Sequence, residues 1–184
     1  MTSLTRRTFI LAAGATAACS SPPPINSPRV ELDSAIMDAR KFMFTSVPGS
    51  QQLAERSAGY LIMPQVIEAG FMAGGSYGEG GLIIGEAIVD YYSVANVSFG
   101  FQVGAQQASH ALFFMTQEAL QNFRTADGWK LSADATWVID TTGISFGASS
   151  KTLNQPVIAL VFNQSGVIAG ATLQGGKYSR IVRN

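Results

Sequence analysis

The chain has 184 residues, of which 47% are apolar, with twelve basic and twelve acidic side chains in balance. That length suits one domain with a proper core, and the absence of a basic stripe argues against nucleic acid as a partner. Cys19 is the single cysteine, so no intramolecular disulfide can form.

At the N-terminus, Arg6 and Arg7 precede an apolar run from Phe9 to Ala18, with small residues before Cys19. A charged head, an apolar stretch too short to span a bilayer and a small-residue cleavage zone define residues 1–18 as an export signal. Arg6 and Arg7, followed by Thr8, Phe9 and Ile10, resemble a twin-arginine signal; an ordinary secretory signal that contains two arginines is the plainer alternative. "TAAC" resembles a bacterial lipobox, in which Cys19 is acylated, although Thr16 stands where leucine is usual. Each buried acyl methylene contributes about 0.8 kcal/mol, so two or three chains hold a protein on a membrane. Ser20, in place of an aspartate that signals inner-membrane retention, favours the outer membrane, with the protein facing the periplasm. Cleavage removes two of the twelve basic residues and no acids, leaving a formal charge of −2. Residues 19–28, containing "SSPPPINSP", form a stiff polar tether, and 29–184 form the domain.

Ser27 as N-cap and Pro28 at the first helical position open a helix through Leu32, Ala35, Ile36, Ala39, Phe42 and Met43. "SVPGS" ends it, and "SQQLAERSA" forms a second short helix. From Gly59 the period changes to that of a strand. Phe71, Ala73, Gly75 and Tyr77 share one face, and Val89 to Gln106 alternates apolar with polar over a long run. "WKLSADATWVID" alternates likewise, while "HALFFM" and "PVIALVF" are continuous apolar runs suited to strands covered on both faces. "TQEALQNFRTADG" forms a third helix, with Thr116 as cap and Gly128 after its end. "NQSG", Asn163 to Gly166, has the composition of a hairpin turn leading into "GVIAGATL". The pattern predicts a mostly β (α+β) fold: a curled or closed, barrel-like antiparallel sheet of about eight strands with about three packed helices.

Glycines crowd "GFMAGGSYGEGG" at Gly70 to Gly81, and "GVIAGATLQGGK" at Gly166 to Lys177 echoes them. A phosphate loop needs Gly-x-x-x-x-Gly-Lys-Ser/Thr, but no lysine occurs between Lys41 and Lys130. The Gly-x-Gly-x-x-Gly pattern fails at Ile83. Glycines on alternating strands instead permit bulges, bends and close backbone approach.

"AGYLIMPQVIEAGFMAGGSYGEGGLI", "YYSVANVSFGFQVGAQQASHALFFMT" and "GVIAGATLQGGKYSRI" together resemble the SYLF-domain family from about Leu53 to Ile181. Gly59 to Pro64 matches the family's Gly-x-x-x-x-Pro segment. Gly100, Gln102 and Gly104 match its Gly-x-Gln-x-Gly segment, and Gly166 to Gly170 its terminal Gly-x-x-Ala-Gly. The resemblance implies a lipid-binding module, in bacteria often a small envelope lipoprotein. Eukaryotic members carry a Trp-Ser-Pro where this chain has Tyr91-Tyr92-Ser93-Val94, and a basic amphipathic N-terminal helix that this chain lacks. Actin and phosphoinositide binding are therefore not carried over.

His110, the lone histidine, reads as a strand-end residue satisfied by the backbone. No Gly-x-Ser-x-Gly elbow accompanies it, and neither a metal site nor a cofactor site can be assembled from so few ligands. Asp90, Asp134 and Asp140 fall on the polar phase of strands, where solvated faces are expected over an acid pair for catalysis. Glu79 and Glu86 keep an edge or turn soluble. Lys130, Lys177 and Arg180 suit either anionic headgroups or a barrel rim. Phe71, Tyr77, Tyr91, Phe99 and Phe101 are the candidate lipid contacts, since ligand pockets are mostly apolar. The expected function is non-enzymatic: a tethered envelope lipoprotein binding lipid or a membrane surface. The alternative is a scaffold that contacts an envelope protein without a lipid ligand.

Overall fold

The computed structural model describes residues 28–130, 136–139, 155–166 and 176–183, with the backbone alone for 70–73, 97–104, 136–139 and 166. Its elements are α1 (Pro28–Ser46), α2 (Ser50–Arg56), β1 (Gly59–Ile84), β2 (Ala87–Phe114), α3 (Gln117–Thr125), β3 (Trp129–Lys130), β4 (Thr136–Ile139), β5 (Val157–Gly166) and β6 (Lys177–Ile181). The three helices and the mostly-β character match the sequence reading. Arg6, Arg7, Cys19, Asp134, Asp140 and "GVIAGATL" after Gly166 lie outside the described residues, as do the side chains of Phe71, Phe99 and Phe101.

One long hairpin organises the sheet. Ile84 pairs with Ala87 across a two-residue turn, Gly85–Glu86, and the antiparallel ladder then runs to Gly59 opposite Phe114. Gly85 has φ +62°, the positive first central position of a type II′ turn, whose twist suits flanking strands. On its other edge β2 pairs with β6 over Tyr91–Ala95 and with β5 over Gln106–Phe114. Strand β3 pairs with β6 and β4 with β5, giving six strands in one sheet among the described residues.

The ribbon also doubles back on itself, which is the curl expected from the sequence. A Cβ placed on Gly80 would lie 2.0 Å from the Ile62 carbonyl oxygen, and one on Gly78 would lie 2.6 Å from that of Gln65. The two halves of β1 therefore stack backbone to backbone, an approach that any side chain at Gly80 would block. Irregularities accompany this curvature. Register shifts fall between Met63 and Val66, Phe71 and Ala73, and Leu82 and Ile83. The first contains Pro64, which has no N–H for the ladder and suits a bulge; its free carbonyl accepts the Ser109 hydroxyl at 2.7 Å.

Two apolar clusters line the faces. Leu61, Met63, Leu82, Tyr92, Leu112 and Phe114 pack inside the doubled ribbon with Leu120 and Phe123 of α3. Tyr60, Ile62, Ile83, Tyr91, Phe113 and Leu160 face the other way, onto Ile36 and Met43 of α1 and Leu53 of α2. Neighbours such as Phe113 and Phe114 thus enter opposite clusters, the double coverage expected of "HALFFM" and "PVIALVF". Burying each such side chain contributes about 1.5–3 kcal/mol. Phe123 is central, with the rings of Tyr92, Phe114, Trp129 and Tyr178 at 4.5, 4.6, 5.3 and 6.3 Å.

Local signals explain the helices. The Thr116 hydroxyl accepts the Ala119 N–H at 3.1 Å, capping α3, and Gly128 follows at φ +83°. Gly49 at φ +88° turns the chain from α1 into α2.

Two local expectations are corrected. "NQSG" is not a turn: β5 continues through it, with Gly166 opposite Gln106. Asn163, at φ +52°, takes up an extra residue as a bulge. Asparagine tolerates this left-handed conformation in a bulge as readily as in a hairpin, so composition alone did not separate the two. Within "WKLSADATWVID", Trp129–Lys130 and Thr136–Ile139 pair with different strands, and β4 runs parallel to β5 rather than antiparallel. Parallel pairing needs a crossover of a dozen or more residues, which the chain between Ile139 and Val157 is long enough to supply.

Candidate functional site

The extra residue at Val89 leaves that side chain 42% exposed and is followed by Asp90, 4% exposed, and then by two buried tyrosines, Tyr91 and Tyr92. Bulges commonly re-aim side chains in this way. Asp90 is therefore not the solvated residue the alternation suggested. Its carboxylate is held from two elements: Arg124, in the last turn of α3, donates Nε and Nη2 to Oδ2, each at 3.0 Å. Arg180 of β6 donates Nη2 to Oδ1. Burying a lone carboxylate is costly unless it is paired in this way.

The two guanidiniums reach outward from the buried acid, with side chains 42% and 61% exposed. They border a cleft of about 420 Å³ lined by Gln117, Leu120, Gln121, Arg124, Thr125 and Arg180. Gln117, Gln121 and Arg124 share one face of α3 because they recur at helical spacing. Among the described residues the lining contains two cations and no acid.

A second cleft, of about 230 Å³, lies where α1, α2 and the β1–β2 turn meet. Arg40 bonds Glu86 at 2.8 Å there and stacks over Phe44, while Glu55 and Gln51 border the opening. Burial raises the Tyr60 hydroxyl pKa above its usual value. Glu86 thus stands exposed in the turn and fastens that turn to α1.

His110 is corrected most. It lies inside β2, between Met63 and Val161, only 3% exposed. Among the described residues its Nδ1 has no hydrogen-bond partner, and burial lowers its pKa from 6.5 to about 3. The residue is a neutral core histidine, not a strand end satisfied by the backbone. Among the described residues, no three His, Cys, Asp or Glu side chains converge to hold a metal.

The candidate lipid contacts separate in space. Tyr91 is 8% exposed and turned to α1: it donates to Asp33 at 2.6 Å, and Arg29 donates to it at 3.2 Å. Tyr77 is 54% exposed and donates to Glu79 at 2.5 Å, which raises its pKa. Glu79 also takes Arg183. The backbone register sets Phe71 opposite Val103 and Phe99 opposite Ala73, at the far end of the doubled ribbon. Lys130 and Lys177 are exposed and directly opposed across β3 and β6. The sequence reading flagged Arg180 but missed its partnership with Asp90 and Arg124. The available signal was one carboxylate inside the run "AIVDYY".

Residues 95–181 match the family model described as Las17-binding protein actin regulator, Ysc84. The match supports the resemblance of this span to the SYLF-domain family, a family of binding domains. The matched span begins where β2 leaves its pairing with β6 and closes on the last residue of β6. No curated protein matches the chain.

Proposed function

We propose that this protein is a bacterial envelope lipoprotein whose SYLF domain binds lipid or a membrane surface. Residues 1–18 direct export, with Arg6 and Arg7 as the twin-arginine-like pair. Cys19 carries the acyl anchor, and residues 19–28 space the domain from the outer membrane on its periplasmic side. The observation that carries the binding role is the SYLF match over residues 95–181. The far end of the doubled ribbon is the surface that suits it. Ile67 and Tyr77 there are 49% and 54% exposed, and aromatic residues with a polar tip favour membrane interfaces. No helix among the described residues is long and apolar enough to cross a membrane, and the anchor makes none necessary. Actin regulation belongs to the family's description and is not part of this reading.

The test uses the mature chain, residues 19–184, with Cys19→Ser, so that both the apolar signal and acylation are absent. Native mass spectrometry with organic extraction, together with flotation on phosphatidylglycerol vesicles, reads binding by the domain itself. An extractable phospholipid or fatty acid, or flotation without the anchor, supports the proposal. A clean apo mass with no flotation overturns it in favour of the protein-contacting scaffold.

A further inference from the structure

The Asp90 triad has one negative charge for two positive ones. Among the described residues, the ion pairs of Arg124 and Arg180 both end on Asp90, so one unit of positive charge faces the 420 Å³ cleft. The clefts differ in this respect: the one beside α2 has Glu55 and Glu86 against Arg40. Around Arg124 and Arg180 the other lining groups are the amides of Gln117 and Gln121, the Thr125 hydroxyl and Leu120. All but leucine can donate hydrogen bonds. Asp90, nearly fully buried, pins both guanidiniums from behind, which lowers the ordering cost that long cationic side chains incur on binding.

We propose that Arg124 and Arg180, held by Asp90, form a binding site for a phosphate group in this cleft. A carboxylate offers two oxygens in a plane. A phosphate monoester or diester presents oxygens in several directions, which suits two guanidiniums arriving from different elements, α3 and β6. The amides of Gln117 and Gln121, on the preceding turns of α3, extend the donor set. Phospholipid headgroups and soluble phosphate share this chemistry. The site is argued from the arginine pair and does not rest on the lipid reading above.

The test is a titration of the mature Cys19→Ser chain, residues 19–184, with inorganic phosphate against chloride at matched ionic strength, followed by NMR of backbone amides. Phosphate is expected to shift α3 and β6 resonances at millimolar concentrations. Arg180→Gln should weaken this binding about tenfold or more, the scale of one lost charge-assisted contact. Gln121→Glu keeps the Asp90 triad and places an acid at the cleft, so it should also abolish binding while circular dichroism stays unchanged. Flotation on phosphatidylglycerol and phosphatidylcholine vesicles then separates the sources. Loss of flotation in Gln121→Glu assigns the phosphate to a lipid headgroup. Phosphate binding without vesicle binding by the parent chain assigns it to a soluble ligand, and sinks the membrane reading but not the cleft. Phosphate shifts that are absent, or that persist in both variants, overturn the proposal.

Discussion

One hairpin, β1 with β2, is held in two different ways at its two ends. Near the Gly85–Glu86 turn and the chain ends of the ladder, both faces are covered, and Leu61, Ile62, Phe113 and Phe114 are fully buried. At the far end, Ile67 and Tyr77 face solvent, and side-chain hydrogen bonds span the two strands. Gln65 bonds Gln107 at 2.8 Å, and Gln106 bonds Glu68 at 2.7 Å. The same backbone ladder is thus apolar-clamped at one end and laced by polar groups at the other. Stability concentrates where apolar area is buried, so the far end is free to carry a binding role at little structural cost.

The sharpest way to break that contrast is a glycine at each end. Gly80→Val is expected to abolish folding, a loss above about 4 kcal/mol, because its Cβ would press on the Ile62 carbonyl. Gly75→Ala, whose Cβ would meet the Asn96 carbonyl oxygen at 3.3 Å on an exposed stretch, should change stability by less than about 1 kcal/mol. Urea denaturation reads both, and equal costs would refute the stacked-backbone account. Phe123→Ala should cost about 3–5 kcal/mol, the range for deleting a buried aromatic ring. A cost below about 1 kcal/mol would show that the ring cluster is not the clamp.

A pH profile sharpens the comparison further. The folded state keeps His110 neutral down to a pKa of about 3, while an unfolded histidine takes up a proton near pH 6.5. The unfolded chain therefore binds more protons between these values, and stability falls as pH drops through that window. The slope reaches about 1.4 kcal/mol per pH unit at most. His110→Gln should flatten that part of the profile, and an unchanged slope would mean that the imidazole is hydrated in the folded state. Tyr91→Phe removes the hydroxyl that Asp33 and Arg29 share and should cost about 1 kcal/mol by thermal denaturation. Least of all, Tyr77→Ser should leave stability within about 0.5 kcal/mol while reducing vesicle flotation. A large stability loss there would mean the far end is structural.

Much of the covered end was legible in the sequence, because its signals are local. "SQQLAERSA", Ser50 to Ala58, reads as helix, Thr116 as a cap, and the continuous run "HALFFM" as a doubly covered strand. The SYLF resemblance was legible from motif order. The Asp90 triad was not, since Asp90, Arg124 and Arg180 come together only through tertiary pairing, and the bulge at Val89 breaks the alternation used to read faces. His110 misread as a strand end for a similar reason: β2 is paired on both sides there, a fact set by the return of β5 from far along the chain. Asn163 shows the limit of composition, because one backbone conformation serves both a turn and a bulge.

The two-residue turn at Gly85–Glu86 also makes the longest ladder of the molecule the one with the most local closure. Pairing that begins at Ile84 and Ala87 closes a minimal loop, and each later rung needs only a small additional closure. Strands β5 and β6 instead pair with β2 from far along the chain. Arg180 can meet Asp90 only through that long-range return of β6. A carboxylate buried early in the sequence thus depends for one of its counter-charges on the final strand.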